Sequence, residues 1–180
     1  MAITSSDILI KLSTTSGSAG NSNSQGAVDS SLGKYISTTQ VTDNILNNLF
    51  ADATGAQNAA SQVDYRCVFV HNAHATLTWQ NAVVYVSAEV SGGAGVAIGV
   101  DTTTSLAIGS ASVQAVTVAS STTAPAGVSF STPTTAATGL SLGSIAPGFC
   151  KAYWVRRTLA NSSAKDNDGC TVGYSGDTSE

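Results

Sequence analysis

Most of the chain shows short alternating apolar runs that are typical of β-strands. Residues 63–71 (VDYRCVFVH) carry Tyr65 and Phe69 on one face, and Asp64 and Arg66 begin the other. We therefore predict a strand that begins half-exposed and ends buried on both faces. Similar runs, separated by Gly, Pro, Ser and Thr, predict strands at 7–13, 34–41, 76–79, 82–90, 96–100, 105–108, 113–119, 127–131, 140–142, 149–157 and 170–174.

One segment has the spacing of a helix instead. Thr42 or Asp43 can cap its start, and the apolar residues that follow at helical spacing are Ile45, Leu46, Leu49 and Phe50. Asparagine is a poor helix former and recurs at 44, 47 and 48. We therefore expect a short helix that ends near Gly55.

Many short strands, little helix and no βαβ rhythm predict an all-β fold with one short helix. We expect a single β-sandwich, either jelly-roll or immunoglobulin-like, with an extended N-terminal segment. Residues 14–31 are rich in Gly, Ser and Asn, which favours a flexible loop or an arm that orders against a partner. The predicted division is 1–41 for the strand and arm and 42–180 for the sandwich, with one continuous domain, 1–180, as the alternative.

The charge pattern argues against two classes of partner. Charged residues make up 10% of the chain, the net charge is −4, and the seven Lys and Arg residues form no basic stripe. Because phosphate binding needs clustered cations, we expect no nucleic-acid partner. The apolar runs are too short to span a bilayer, and the N-terminus lacks the features of a signal peptide. We expect synthesis in a cytoplasm and no membrane partner.

Candidate chemistry is sparse. His71 and His74 lie three residues apart, but no set of Cys, Asp or Glu at zinc-like spacing accompanies them. Residues 166–169 (DNDG) lack the spacing of a calcium loop, and no GxSxG motif is present. The sequence therefore predicts no catalytic residue, no cofactor and no metal site, and the protein is not expected to be an enzyme.

The cysteine count is odd, and Cys67, Cys150 and Cys170 form no CxxC pair. We expect them to be small buried side chains. One disulfide, of undetermined pairing, is the alternative.

The most distinctive cluster is Tyr153, Trp154, Arg156 and Arg157. Aromatic and arginine side chains are enriched at interface hot spots, so these four residues are the leading interface candidates, together with Tyr35 and Trp79. The alternative interpretation is that one aromatic residue belongs to the core and that the arginines pair with surface carboxylates.

Two stretches carry a resemblance. Residues 63–72 (VDYRCVFVHN), and residues 145–148 (IAPG) followed by 153–158 (YWVRRT), resemble strands of small β-sandwich virion proteins of tailed bacteriophages, most closely those of capsid decoration (cement) proteins. The resemblance implies a structural protein on the capsid exterior without enzymatic activity. The implied partners are the major capsid protein and further copies of the chain, in a homo-oligomer that we expect to be a trimer.

Two other functions compete with decoration. One is a tail or baseplate structural protein of the same β type. The other is a carbohydrate-binding adhesin module, for which Trp79 beside Gln80 and Asn81 is the main candidate site.

Overall fold

The computed structural model describes residues 2–178, which form an all-β molecule, as predicted. In that range there is one α-helix, α1 (Gly55–Ala59). The strands are β1 (Ile8–Thr14), β2 (Gly33–Gln40), β3 (Val63–Asn72), β4 (Trp79–Glu89), β5 (Gly95–Val100), β6 (Leu106–Ala107), β7 (Ala115–Thr117), β8 (Leu140–Ile145), β9 (Phe149–Thr158) and β10 (Cys170–Thr178).

The strands of the described residues form two antiparallel sheets in a sandwich-like arrangement. The larger sheet has the order β5-β9-β3-β1-β2-β7, and β6 also pairs with β9. The smaller sheet has the order β10-β4-β8. At the centre of the larger sheet, β3 and β9 pair without interruption from Val63–Thr158 to His71–Cys150.

Both faces of the larger sheet are buried. On the face toward the smaller sheet, Val68, Val70 and Tyr153 pack with Trp79 and Val84. On the opposite face, the core residues are Ile36, Cys67, Phe69, Ala115, Val118, Cys150, Ala152 and Trp154. Partly buried residues of the connecting loops, among them Ile108, Val128 and Phe130, pack against this second core. The larger sheet is thus a middle layer, which explains why β3 and β9 are apolar at consecutive positions.

The segment between β1 and β2 packs as a loop on the larger sheet. The Gly20 amide donates to the Ser110 carbonyl at 2.9 Å, and the Thr38 amide donates to the Asn23 carbonyl at 2.9 Å. The side chain of Gln25 donates to the Ser13 and Ser30 carbonyls. Because β1 pairs with both β2 and β3, the first 41 residues contribute two strands to the interior of this sheet.

The position of the predicted helix was wrong. Residues 42–50 form successive turns, and α1 begins only after Thr54, whose hydroxyl accepts a hydrogen bond from the Gln57 amide. Asn44 and Asn47 both have a φ of 59°, in the left-handed region that interrupts an α-helix. Asparagine tolerates this conformation better than most residues, so it outweighs the apolar spacing of the segment.

Three further predictions about the strands need correction. Of the strand expected at 76–79 only Trp79 lies in a strand, and it begins β4, in which a register shift near Asn81 (φ 51°) replaces the break expected before 82–90. Residues 127–131 form no strand, and Ser131 makes an isolated bridge to Ile98. Asp64 and Arg66 are buried, because loop segments cover the start of β3, where a half-exposed strand was predicted.

Candidate interaction surfaces

Four of the six predicted interface residues lie inside the molecule. The exposed fractions are 2% for Tyr153, 0% for Trp154, 5% for Tyr35 and 5% for Trp79. The indole Nε1 of Trp154 donates to Asp101 Oδ2 at 2.8 Å, so even its polar atom is satisfied within the chain. Side chains buried to this extent offer little area to a partner, and they serve the packing of the two cores.

The two remaining candidates, Arg156 and Arg157, hold loop segments against the larger sheet. Arg157 Nη2 donates to Asp64 Oδ2 at 2.8 Å, and its guanidinium lies 4.7 Å from the centre of the Phe50 ring. The guanidinium of Arg156 lies 5.3 Å from the centre of the Phe130 ring on the other side of the sheet. Both contacts combine a cation–π attraction with burial of the aromatic ring.

Arg66 completes a buried charged cluster around Phe50. It forms an ion pair with Asp29, and its guanidinium lies 5.0 Å from the Phe50 ring centre. Burial lowers the pKa of Arg66, while the neighbouring Asp29 acts in the opposite direction. A pocket of about 100 Å³ beside the cluster is lined by Asp29, Ala51, Asp52, Gln57, Gln62, Asp64, Arg66, Ser121 and Arg157. The arginines of this cluster are paired with carboxylates, and these pairs join loops to strands. Because both signs of charge line the pocket, it offers no purely positive or purely negative surface to a ligand.

A histidine and a cysteine face each other across β3 and β9. His71 pairs in register with Cys150, and Lys11 lies near both. Burial, with a contribution from Lys11, lowers the pKa of His71 to about 4, and burial raises the pKa of Cys150 to about 12. At neutral pH the thiol is therefore protonated and the imidazole is uncharged. This pair lacks the thiolate that nucleophilic catalysis by cysteine requires.

Within residues 2–178, no three His, Cys, Asp or Glu side chains converge as metal ligands. The cysteines are free, with Cys67 and Cys150 buried and Cys170 half-buried. In the acidic 166–169 loop, Asp168 Oδ2 accepts the Ala94 amide at 2.7 Å, which joins two surface loops. No helix in this part of the chain has the length and apolar character needed to cross a membrane.

A larger concavity lies between β1 and β10. It has a volume of about 490 Å³ and is lined by Ile3, Thr4, Ser5, Ile8, Ile10, Asp43, Trp79, Val172, Tyr174, Ser175 and Gly176. We call it the β1–β10 groove. Just beyond Asp43, Ile45 is 57% exposed and Leu46 is 68% exposed. These two exposed aliphatic residues follow closely in sequence on Asp43, which lines the groove.

Sequence reasoning missed the exposure of these two residues. It placed Ile45 and Leu46 at helical spacing in a short helix, whereas they lie in turns at Asn44 and Asn47 and both side chains are exposed. The signal was present in the three asparagines of residues 44–48. The pairing that exposes β10 as an edge carries no local signal, because it depends on which strands meet in the smaller sheet.

Comparisons of the chain with protein-family models, with curated proteins and with solved structures found no match.

Proposed function

We propose that this chain is a non-enzymatic structural protein of a tailed-phage particle, which binds the outer surface of the capsid and stabilises the shell as a decoration protein. The main support for the proposal is the position of the two resembling stretches in the fold. Residues 63–72 coincide with β3, and residues 153–158 belong to β9, its direct neighbour. The resemblance therefore falls on two paired strands of the larger sheet and, through residues 145–148, on the end of β8 and the turn into β9.

The polar composition of the surface also supports the proposal. Charged residues are only 10% of the chain, and exposed loops such as residues 119–127 and 131–139 are rich in Ser, Thr and Ala. Covering a surface of uncharged groups avoids the large desolvation cost of burying unpaired charges. Such a surface suits extensive contact with another protein in an assembly.

Shell stabilisation follows from thermodynamic linkage. A protein that binds the assembled capsid and not its separated subunits lowers the free energy of the assembled state by its binding free energy. Repetition over many copies adds these contributions. The partner is the major capsid protein, and the resemblance adds a homo-oligomer, a trimer, located on the capsid exterior after synthesis in the host cytoplasm.

Glycan binding, the function of an adhesin module, has less support. Sugar sites commonly present an accessible aromatic ring, but Trp79 and Trp154 are 5% and 0% exposed. A tail or baseplate location remains as an outcome of the experiment below.

The test is to mix the purified chain with capsids that lack it and, separately, with isolated tails, and to sediment both mixtures. The proposal expects saturable binding to capsids, at a fixed ratio to the capsid protein, that excess unlabelled chain displaces. Electron microscopy should then show added density on the outer shell. Bound capsids should release DNA at a higher temperature than bare ones. Binding to tails alone would move the chain to the tail, and binding to neither would overturn a virion role.

A further inference from the structure

The outer edge of β10 has no other strand paired to it. In the smaller sheet, β10 pairs with β4 alone, and it is longer, at 9 residues, than the other described edge strands, β8, β5 and β7. In the described part of the chain, no backbone hydrogen bond joins residues 172–176 to a segment other than β4. A row of unpaired N–H and C=O groups is the chemical feature that recognises another extended strand.

The middle of this edge is regular. Pairing with β4 runs without interruption from Val172–Val86 to Ser175–Val83, and the register shifts only on either side of these residues. A regular stretch bounded by two shifts can accept a short antiparallel ladder. It also limits that ladder to the centre of β10.

The regular middle of the strand lacks the charged and proline residues that protect many exposed edges. The sequence of β10, CTVGYSGDT, contains no Lys, Arg or Pro, and Asp177 is its one charged residue. Natural edge strands are commonly guarded by such residues. In an antiparallel pair of two β10 strands centred on Tyr174, Asp177 lies opposite the uncharged Thr171. The strand therefore meets its own copy without a clash of like charges, although the chain as a whole is acidic.

Aliphatic side chains flank the same edge. Ile8, Ile10 and Val172 line the β1–β10 groove and are half-buried. Ile45 and Leu46, which lie close to the groove in sequence through Asp43, are exposed. A second molecule placed against β10 would cover part of this side. Two-fold symmetry would bring the same patch from each copy together, as in most protein dimers.

We propose that β10 pairs with β10 of a second copy of this chain, in antiparallel direction, so that the two three-stranded sheets join into one continuous sheet. Backbone hydrogen bonds would give the direction and register of the contact, and the flanking aliphatic residues would add burial of apolar surface. The contact does not depend on capsid binding. It is also compatible with a trimer formed through another surface, in which case two trimers would be joined in pairs.

A pair of matched variants tests the contact. Ser175 is exposed on β10, and Ser144 is exposed on β8, the opposite edge of the same sheet. In the proposed pair, two lysines at position 175 would lie diagonally near each other across the two-fold axis and repel. We expect Ser175→Lys to weaken self-association by about 10-fold or more, whereas Ser144→Lys leaves it unchanged.

The measurement is sedimentation equilibrium of the full chain and both variants, up to about 1 mM, with thermal unfolding to show that each variant is folded. At some concentration in this range, we expect the wild type and Ser144→Lys to sediment with twice the molecular mass of Ser175→Lys. The proposal is overturned if Ser175→Lys has the same sedimenting mass as the wild type. It is also overturned if Ser144→Lys, and not Ser175→Lys, has the lower mass. A chain that stays monomeric over the whole range would overturn it as well.

Cross-linking gives an independent readout that does not rely on weakening the contact. A short bismaleimide should join two copies of Ser175→Cys and should not join copies of Ser144→Cys. The wild type, with its three native cysteines, is the background control. Equal cross-linking at both positions would contradict pairing through β10.

Discussion

At the scale of single residues, buried polar groups hold the loops on the larger sheet. The carboxylate of Asp101 is the clearest case, because this residue is 2% exposed. It accepts hydrogen bonds from Trp154 Nε1 at 2.8 Å, from the Thr103 amide at 2.8 Å and from the Val116 amide at 3.0 Å. One side chain thus joins the core of β9 to the loop after β5 and to β7.

Replacing Asp101 by alanine should be strongly destabilising. Asp101→Ala leaves the buried Trp154 Nε1 and two partly buried backbone amides without their acceptor, which should lower the free energy of unfolding by about 3 kcal/mol or more. Urea denaturation measures this loss. The control is Asp166→Ala in an exposed loop, which should change stability by less than about 0.5 kcal/mol. Equal effects of the two substitutions would contradict the role assigned to Asp101.

His71 makes stability depend on pH in a definite direction. Its pKa is about 4 in the folded chain, below the usual 6.5, because burial and, to a smaller extent, Lys11 disfavour the imidazolium. Between these two values the unfolded chain binds a proton that the folded chain does not. Stability from this group is therefore fully present above about pH 6.5 and falls as the pH decreases toward 4, by an amount on the order of 3 kcal/mol.

The His71→Leu variant isolates this effect. Among the described residues, neither ring nitrogen of His71 has a hydrogen-bond partner, so an apolar side chain should be accepted there. We expect the variant to lose the His71 part of the stability change between pH 6.5 and 4, as measured by denaturation at several pH values. A variant whose free energy of unfolding keeps the full wild-type pH dependence between these values would contradict the role of His71.

At the scale of elements, β2 and β7 show how closely two strands approach. Gly33 has a φ of 93°, and a Cβ atom placed on it would lie 1.8 Å from the Val116 carbonyl oxygen. The amide of Gly33 also donates to Ser13 Oγ at 2.8 Å. Only glycine fits this position, because both the backbone conformation and the space exclude a side chain.

Gly33→Ala should therefore separate β7 from β2. We expect a loss of about 3 kcal/mol or more in the free energy of unfolding, with faster hydrogen exchange at β7 amides. Gly26→Ala is the matched control, since nothing lies within 4 Å of an added Cβ there. If Gly33→Ala lowers the free energy of unfolding no more than Gly26→Ala does, then β2 and β7 can move apart at little cost, which contradicts the prediction.

At the scale of the whole molecule, the two sheets are joined by packing and by a polar contact. The hydroxyl groups of Tyr153 on β9 and Tyr174 on β10 form a hydrogen bond, and their rings meet edge to face with centres 6.1 Å apart. Tyr174 also lines the β1–β10 groove, so this pair lies between the core and the open side of the sandwich.

A double-mutant cycle measures how strongly this pair couples the sheets. Tyr153→Phe and Tyr174→Phe should each cost about 1 to 2 kcal/mol, since each leaves one buried hydroxyl without its partner. The double variant should cost less than the sum of the two, with a coupling of about 0.5 kcal/mol or more. Additive losses would show that the hydroxyl groups act independently.

The parts of the fold that the sequence predicted are those with a local pattern. The partial alternation of residues 63–71 and the aromatic-rich run that follows Pro147 and Gly148 are properties of neighbouring residues, and they correctly located β3 and β9. The helix prediction failed because two local preferences conflict in residues 42–50. The spacing of the apolar residues favours a helix, whereas Asn44 and Asn47 favour left-handed turns. Of the candidate surface, the exposed Ile45 and Leu46 were within reach of such reasoning, had those asparagines been given more weight.

By itself, the sequence determined an all-β chain of short strands with few charges, because strand periodicity, turn residues and composition act locally. Only the tertiary structure decided which side chains face solvent. Trp154 is buried because loops cover the second face of the larger sheet, Tyr153 because it lies between the two sheets, and Arg66 because it packs against Phe50. The structure likewise left β10 as an open edge beside the β1–β10 groove. These outcomes depend on contacts between residues distant in sequence, which no local pattern encodes.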